Sequence, residues 1–131
     1  MARFGGEAPL HILVVDDDDA VRESLGLSLE TYGYDVDYAA DGQSALAAVA
    51  RLRPEAVVTD IQMPGMDGLE LLREMAVRNR GVPVIAISGG GDMVLESARQ
   101  LGAVEAFAKP VMDEDLVAAI ERCRRAAARP E

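Results

Sequence analysis

The sequence predicts an α/β fold: a three-layer (βα)5 sandwich built on a parallel five-stranded sheet of order 2-1-3-4-5. Three observations carry this expectation. Apolar runs of strand length alternate five times with longer stretches whose apolar residues recur every three or four positions. Strands joined by helices run parallel, and their right-handed crossovers cover both faces of the sheet. No insertion is large enough for a second domain, and for a doubly wound sheet of five strands the order 2-1-3-4-5 is favoured over the alternatives.

HILVV (11–15) has the composition of a buried strand. In DDAVRESLGLSLETYG (18–33), Val21, Leu25, Leu29 and Tyr32 lie four, four and three apart, one face of a helix. Asp18 or Asp19 can cap its start, and Gly33 ends it. YDVDYAA (34–40) alternates weakly and suits an outer strand. DGQSALAAVARL (41–52) is helical with Ala45, Leu46, Val49 and Leu52 inward, and EAVVTD (55–60) is a strand behind Pro54. The second half repeats the scheme. DGLELLREMAVR (67–78) places Leu69, Leu72 and Met75 on one helical face, and VPVIAIS (82–88) is the most apolar strand. GDMVLESARQLG (91–102) is a helix closed by Gly102, followed by the strand VEAFAK (104–109). The last helix, DEDLVAAIERCRRAAA (113–128), turns Leu116, Ile120, Cys123 and Ala127 inward. Its acidic start and basic end complement the helix dipole.

The 131 residues fit one domain: a loose leader at 1–9, the domain proper at 10–127 and a tail at 128–131, with no output domain expected. Half of the residues are hydrophobic but only 4% aromatic, so aliphatic side chains and Met must fill the core. A net charge of −10 argues against nucleic acid or an anionic membrane as partner, since both require concentrated positive charge. One cysteine, Cys123, excludes an internal disulfide and a cysteine-based zinc cluster. No apolar stretch approaches the ~20 residues of a membrane span, and the start is not a secretory signal. A cytoplasmic location fits.

The strand ends carry the chemistry. The first strand ends in Asp16 and Asp17, the third in Asp60, the fourth in Ser88 and the fifth in Lys109. In the order 2-1-3-4-5 these four strands are neighbours, so three carboxylates, a hydroxyl and an ammonium converge. Carboxylates that close together ionise comfortably only around a shared cation, and oxygen ligands select a hard ion such as Mg2+. A metal with a lysine and a serine beside it suits a phosphoryl group, with a carboxylate as in-line nucleophile. Asp18 and Asp19 need only a capping role.

These residues resemble the receiver domains of two-component response regulators, over roughly residues 10–126. The motifs are LVVDDD (13–18), TDIQMPGMDG (59–68), AIS (86–88) and AKP (108–110). The resemblance implies a flavodoxin-like, CheY-like fold with Asp60 as phosphoacceptor, phosphorylated by a histidine kinase or a phosphotransfer protein. It implies that Asp17, Asp60 and the backbone carbonyl of Gln62 bind Mg2+, with Asp16 acting through a metal-bound water. Lys109 would contact the phosphoryl oxygens, Ser88 would swing toward them as the switch, and Pro110 is often cis in such domains. A downstream target would read the face made by the fourth helix, fifth strand and fifth helix. Gln62 and Gly90, flanking the site, are the positions expected to govern phosphorylation lifetime.

Three positions depart from that family's pattern. Ala106 stands where Tyr or Phe is usual, and Phe107, one step along, points to the opposite sheet face. Three glycines, 89–91, follow Ser88 and predict a mobile loop that phosphorylation orders. Val111 replaces the aromatic that often follows the Lys-Pro pair. His11 is expected to hydrogen-bond locally rather than relay phosphate. The rival from the enzyme class is a haloacid-dehalogenase-type Mg2+ phosphatase with Asp16 as nucleophile, since Asp16-x-Asp18 after an apolar strand mimics that motif. It leaves TDIQMPGMDG unexplained and lacks the later acidic pair. A mere scaffold with a degenerate site is the third reading.

Overall fold

A computed structural model describes residues 9–79 and 81–128, with the side chains of Ala127 and Ala128 excepted; the expected leader up to residue 8, the tail beyond Ala128 and the expected inward turn of the Ala127 side chain lie outside the described parts. The elements run β1 (His11–Val15), α1 (Asp19–Thr31), β2 (Asp35–Ala39), α2 (Gly42–Leu52), β3 (Ala56–Asp60), α3 (Gly68–Arg78), β4 (Val84–Ser88), α4 (Asp92–Gln100), β5 (Glu105–Ala108) and α5 (Asp113–Ala128). The five strands form one sheet of order β2-β1-β3-β4-β5, every pair parallel.

Alternation along each strand divides the core in two. Leu13, Val15, Val57, Val84, Ala86 and Ala106 pack with α2, α3 and α4 on one face. Ile12, Val14, Val58, Ile85 and Ile87 pack with α1 and α5 on the other. Strands β3 and β4 are buried at every residue, as central strands covered on both faces must be. Each large aliphatic side chain so buried contributes about 1.5–3 kcal/mol.

Helix starts follow from side-chain caps. Asp18, not Asp19, caps α1, its Oδ1 accepting from the backbone N–H groups of Ala20 and Val21. Asp41 and Asp67 cap α2 and α3 in the same way through Ser44 and Glu70. The inward face of α1 differs from the expected one. Leu29 is buried and Leu25 half-buried, but Val21 and Tyr32 are 38% and 40% exposed. The helix instead turns Gly26 inward, where the ring of Tyr38 on β2 occupies the space a Cβ would fill. Val21 and Leu25 line an open crevice beside the β5–α5 loop.

Candidate functional site

Parallel strands with this register bring Asp16, Asp60, Ser88 and Lys109 to one edge. Asp16 follows β1, Asp60 and Ser88 close β3 and β4, and Lys109 follows β5. One carboxylate oxygen from each of Asp16, Asp17 and Asp60 lies within 4.8 Å of the others. The Lys109 Nζ stands 3.3 Å from Asp60 Oδ1 and 3.6 Å from Asp16 Oδ2. Asp16, Asp60 and Ser88 are buried, whereas Asp17 faces solvent.

Burial pushes the Asp60 carboxyl above the usual carboxylate range, Asp16 adds to the rise, and the Lys109 ammonium holds it back. Burial pulls on Lys109 in the opposite sense, but the Asp60 and Asp16 carboxylates outweigh it and raise the ammonium above its ordinary value. Lys109 is therefore a cation at neutral pH. Its peptide bond to Pro110 is cis, and its N–H donates to the Ser88 carbonyl at 3.0 Å, which ties the ends of β4 and β5 together.

Asp16 is held at each of its polar groups. Its N–H donates to the Ala39 carbonyl at 3.2 Å and its Oδ1 accepts from the Asp18 N–H at 2.9 Å. Its carbonyl accepts from Arg22 Nη1 at 2.8 Å. Arg22 did not stand out in the sequence; the only signal was a lone cation in the first half of a helix that follows four aspartates. Ser88 Oγ accepts from the Gly90 N–H at 2.9 Å. Gln62 lies exposed in the β3–α3 loop, and a Cβ on Gly90 would come 3.0 Å from its Nε2, so the two positions face each other across the mouth of the site.

The departures have structural consequences. Ala106 is buried beneath the α2–α3–α4 layer, while Phe107 packs with the α1–α5 layer, the opposite face as the alternation requires. Arg99 on α4 donates to the Ala106 carbonyl at 3.1 Å, so α4 and β5 are joined through backbone rather than through an aromatic ring. Val111 is half-buried against the α1–α5 core. His11 pairs with Asp37 across β1 and β2, far from the acidic cluster.

A doubly wound α/β domain that gathers three carboxylates and a lysine at the carboxyl edge of its sheet has the architecture of a signalling receiver module. The family described as the response regulator receiver domain matches residues 12–121, and the chain belongs to it. It is 42% identical over 118 residues to the transcriptional regulatory protein FixJ of Bradyrhizobium diazoefficiens, covering 89% of this chain and 58% of that protein. It is 45% identical over 112 residues to the response regulator MprA of Mycolicibacterium vanbaalenii, covering 84% of this chain and 48% of that one. The chain thus spans about half the length of the curated relatives it matches. Among solved structures it resembles a response regulator receiver domain from Clostridium thermocellum, with a TM-score of 0.86 and 30% identity over 90% of this chain and 96% of that one. A CheY-like receiver from Methanospirillum hungatei gives 0.84 and 30%, over 91% and 97%. The chain is a receiver domain of two-component signalling, and the dehalogenase-type reading gains no support from these relatives. Among the described residues no helix is long and apolar enough to cross a membrane.

Proposed function

We propose that this chain accepts a phosphoryl group on Asp60 from a histidine kinase or a histidine phosphotransfer protein and signals in the cytoplasm through phosphorylation-dependent contacts. One observation carries the reading: the Asp60 carboxylate is buried beside the Lys109 ammonium and within reach of two further carboxylates. An Asp60 oxygen attacks the phosphorus of a phosphohistidine in line. The O–P bond forms as the donor's N–P bond breaks, and the electron pair leaves on the imidazole nitrogen.

Lys109 draws off charge from the phosphoryl oxygens as they shift to Asp60. The Ser88 hydroxyl, which accepts from Gly90, keeps its own hydrogen to donate toward the same oxygens. The three clustered carboxylates are an oxygen-only donor set that fits Mg2+. Asp17, Asp60 and the Gln62 carbonyl would hold the ion directly, and Asp16 through a water. When bound, it neutralises phosphoryl oxygens and relieves repulsion among the carboxylates. The chain turns over no external substrate in this reading; it assists only its own phosphorylation and the hydrolysis of its aspartyl phosphate. A downstream protein reads the α4–β5–α5 face, beside which Met93, Val104 and Met112 are exposed.

The phosphatase reading needs Asp18 as a second catalytic acid, but Asp18 is exposed and its Oδ1 is engaged in capping α1. Acetyl phosphate and Mg2+ followed by intact-mass measurement separates the two. One phosphoryl group should appear on the wild type and none on Asp60→Asn. Labelling that survives in Asp60→Asn but vanishes in Asp16→Asn would overturn the receiver reading.

A further inference from the structure

The acidic turn after β1 is held from below by one side chain. Arg22, whose side chain is only 15% exposed, donates from Nη1 to the Asp16 carbonyl at 2.8 Å and from Nη2 to Asp19 Oδ1 at 2.6 Å. A planar guanidinium presents its two nitrogens at fixed spacing, so both ends of the turn are set by one rigid group. The Asp16 carbonyl belongs to the peptide that carries Asp17. Among the described residues the Asp17 carboxylate has no hydrogen bond or ion pair of its own, although it completes the acidic cluster. With no side-chain partner to hold it, its reach into the cluster depends on where that peptide plane places the Asp17 Cα–Cβ bond.

We infer that Arg22 is a positioning residue for the acidic cluster: by fixing the Asp16–Asp17 peptide it aims the Asp17 carboxylate at the space shared with Asp16 and Asp60. This inference rests on the metal-binding role proposed above. Geometry and charge act in opposite directions here. The positive charge of Arg22 weakens the attraction of the cluster for a cation, whereas its strap preorganises the ligands. Lysine at this position keeps the charge but lacks the rigid planar fork that holds the Asp16 carbonyl and Asp19 at fixed spacing.

Calorimetric titration with Mg2+ distinguishes the two. Arg22→Lys and Arg22→Met should each weaken Mg2+ binding, on the order of tenfold. In an Asp17→Asn background the Arg22→Lys loss should largely disappear, as expected if Arg22 acts through Asp17. An unchanged affinity in Arg22→Lys with tighter binding in Arg22→Met would overturn the proposal in favour of a charge effect. A lowered melting temperature with unchanged affinity would reduce Arg22 to a structural residue. Amide exchange of Asp18 in metal-free protein, followed by NMR, reads the strap without the ion, because that N–H is bonded to Asp16 Oδ1. It should quicken in both variants, and an unchanged rate overturns the proposal. A wild type that binds no Mg2+ would refute the metal site while leaving this exchange result to decide the strap.

Discussion

Lys109 Nζ lies 3.3 Å from Asp60 Oδ1, and it is the cation that makes a second buried carboxylate, Asp16, tolerable at this edge. Without metal the balance is unfavourable for Asp60, whose carboxyl is raised by burial despite Lys109. A carboxyl raised in the fold prefers its proton there, so its ionised form lowers stability at neutral pH. Asp60→Asn should therefore stabilise the metal-free protein and raise its melting temperature. Lys109→Met should destabilise it. The advantage of Asp60→Asn should shrink as pH falls through the raised Asp60 pKa, because the wild type then gains its proton. Melting curves across pH, with and without millimolar Mg2+, check this. An Asp60→Asn protein no more stable than wild type at neutral pH would show that the cluster is not under electrostatic strain.

The three glycines after Ser88 are not equivalent. Gly91 sits at φ 93°, ψ −179°, a region essentially restricted to glycine, and forms the N-cap of α4 with no side-chain hydrogen bond. Gly89 has no such backbone constraint, and a Cβ there would meet nothing within 4 Å. Gly91→Ala should cost about 1–3 kcal/mol. Gly89→Ala should be neutral or gain about 0.4–1 kcal/mol by restricting the unfolded chain. Chemical denaturation of the two variants measures the contrast, and equal effects would rule out the backbone assignment at Gly91.

What the sequence made legible is what depends on strand period and strand ends. Asp16, Asp60, Ser88 and Lys109 fall at the ends of apolar runs, and a parallel sheet carries such ends to one edge whatever the loops do. Phe107 could be placed opposite Ala106 because alternation in a strand is strict. Helical faces were less legible. Val21 and Tyr32 share a stripe with Leu29, yet α1 rolls toward Gly26 because the Tyr38 ring needs the room a glycine leaves. That contact joins residues from two elements and has no signature in either alone. Arg22 and Arg99 were missed for the same reason: each serves a backbone carbonyl, and carbonyl directions are set by turn and edge geometry.

Helical spacing turns Cys123 toward the core, and the residue lies there only in part: it is half-buried on α5, packed against the α1–α5 layer. Burial pushes its thiol above the ordinary value, Glu105 adds to the rise, and Arg122 opposes it. The thiolate is the reactive form, so a raised pKa means little nucleophile near neutral pH. Iodoacetamide should alkylate the native protein slowly at pH 8, more slowly than the same chain in denaturant. The native rate should climb as pH passes above 9, through the raised pKa, and intact-mass time courses at several pH values follow it. Native alkylation at pH 8 as fast as in denaturant would mean that the α5 surface leaves the thiol solvated and that burial does not set its reactivity.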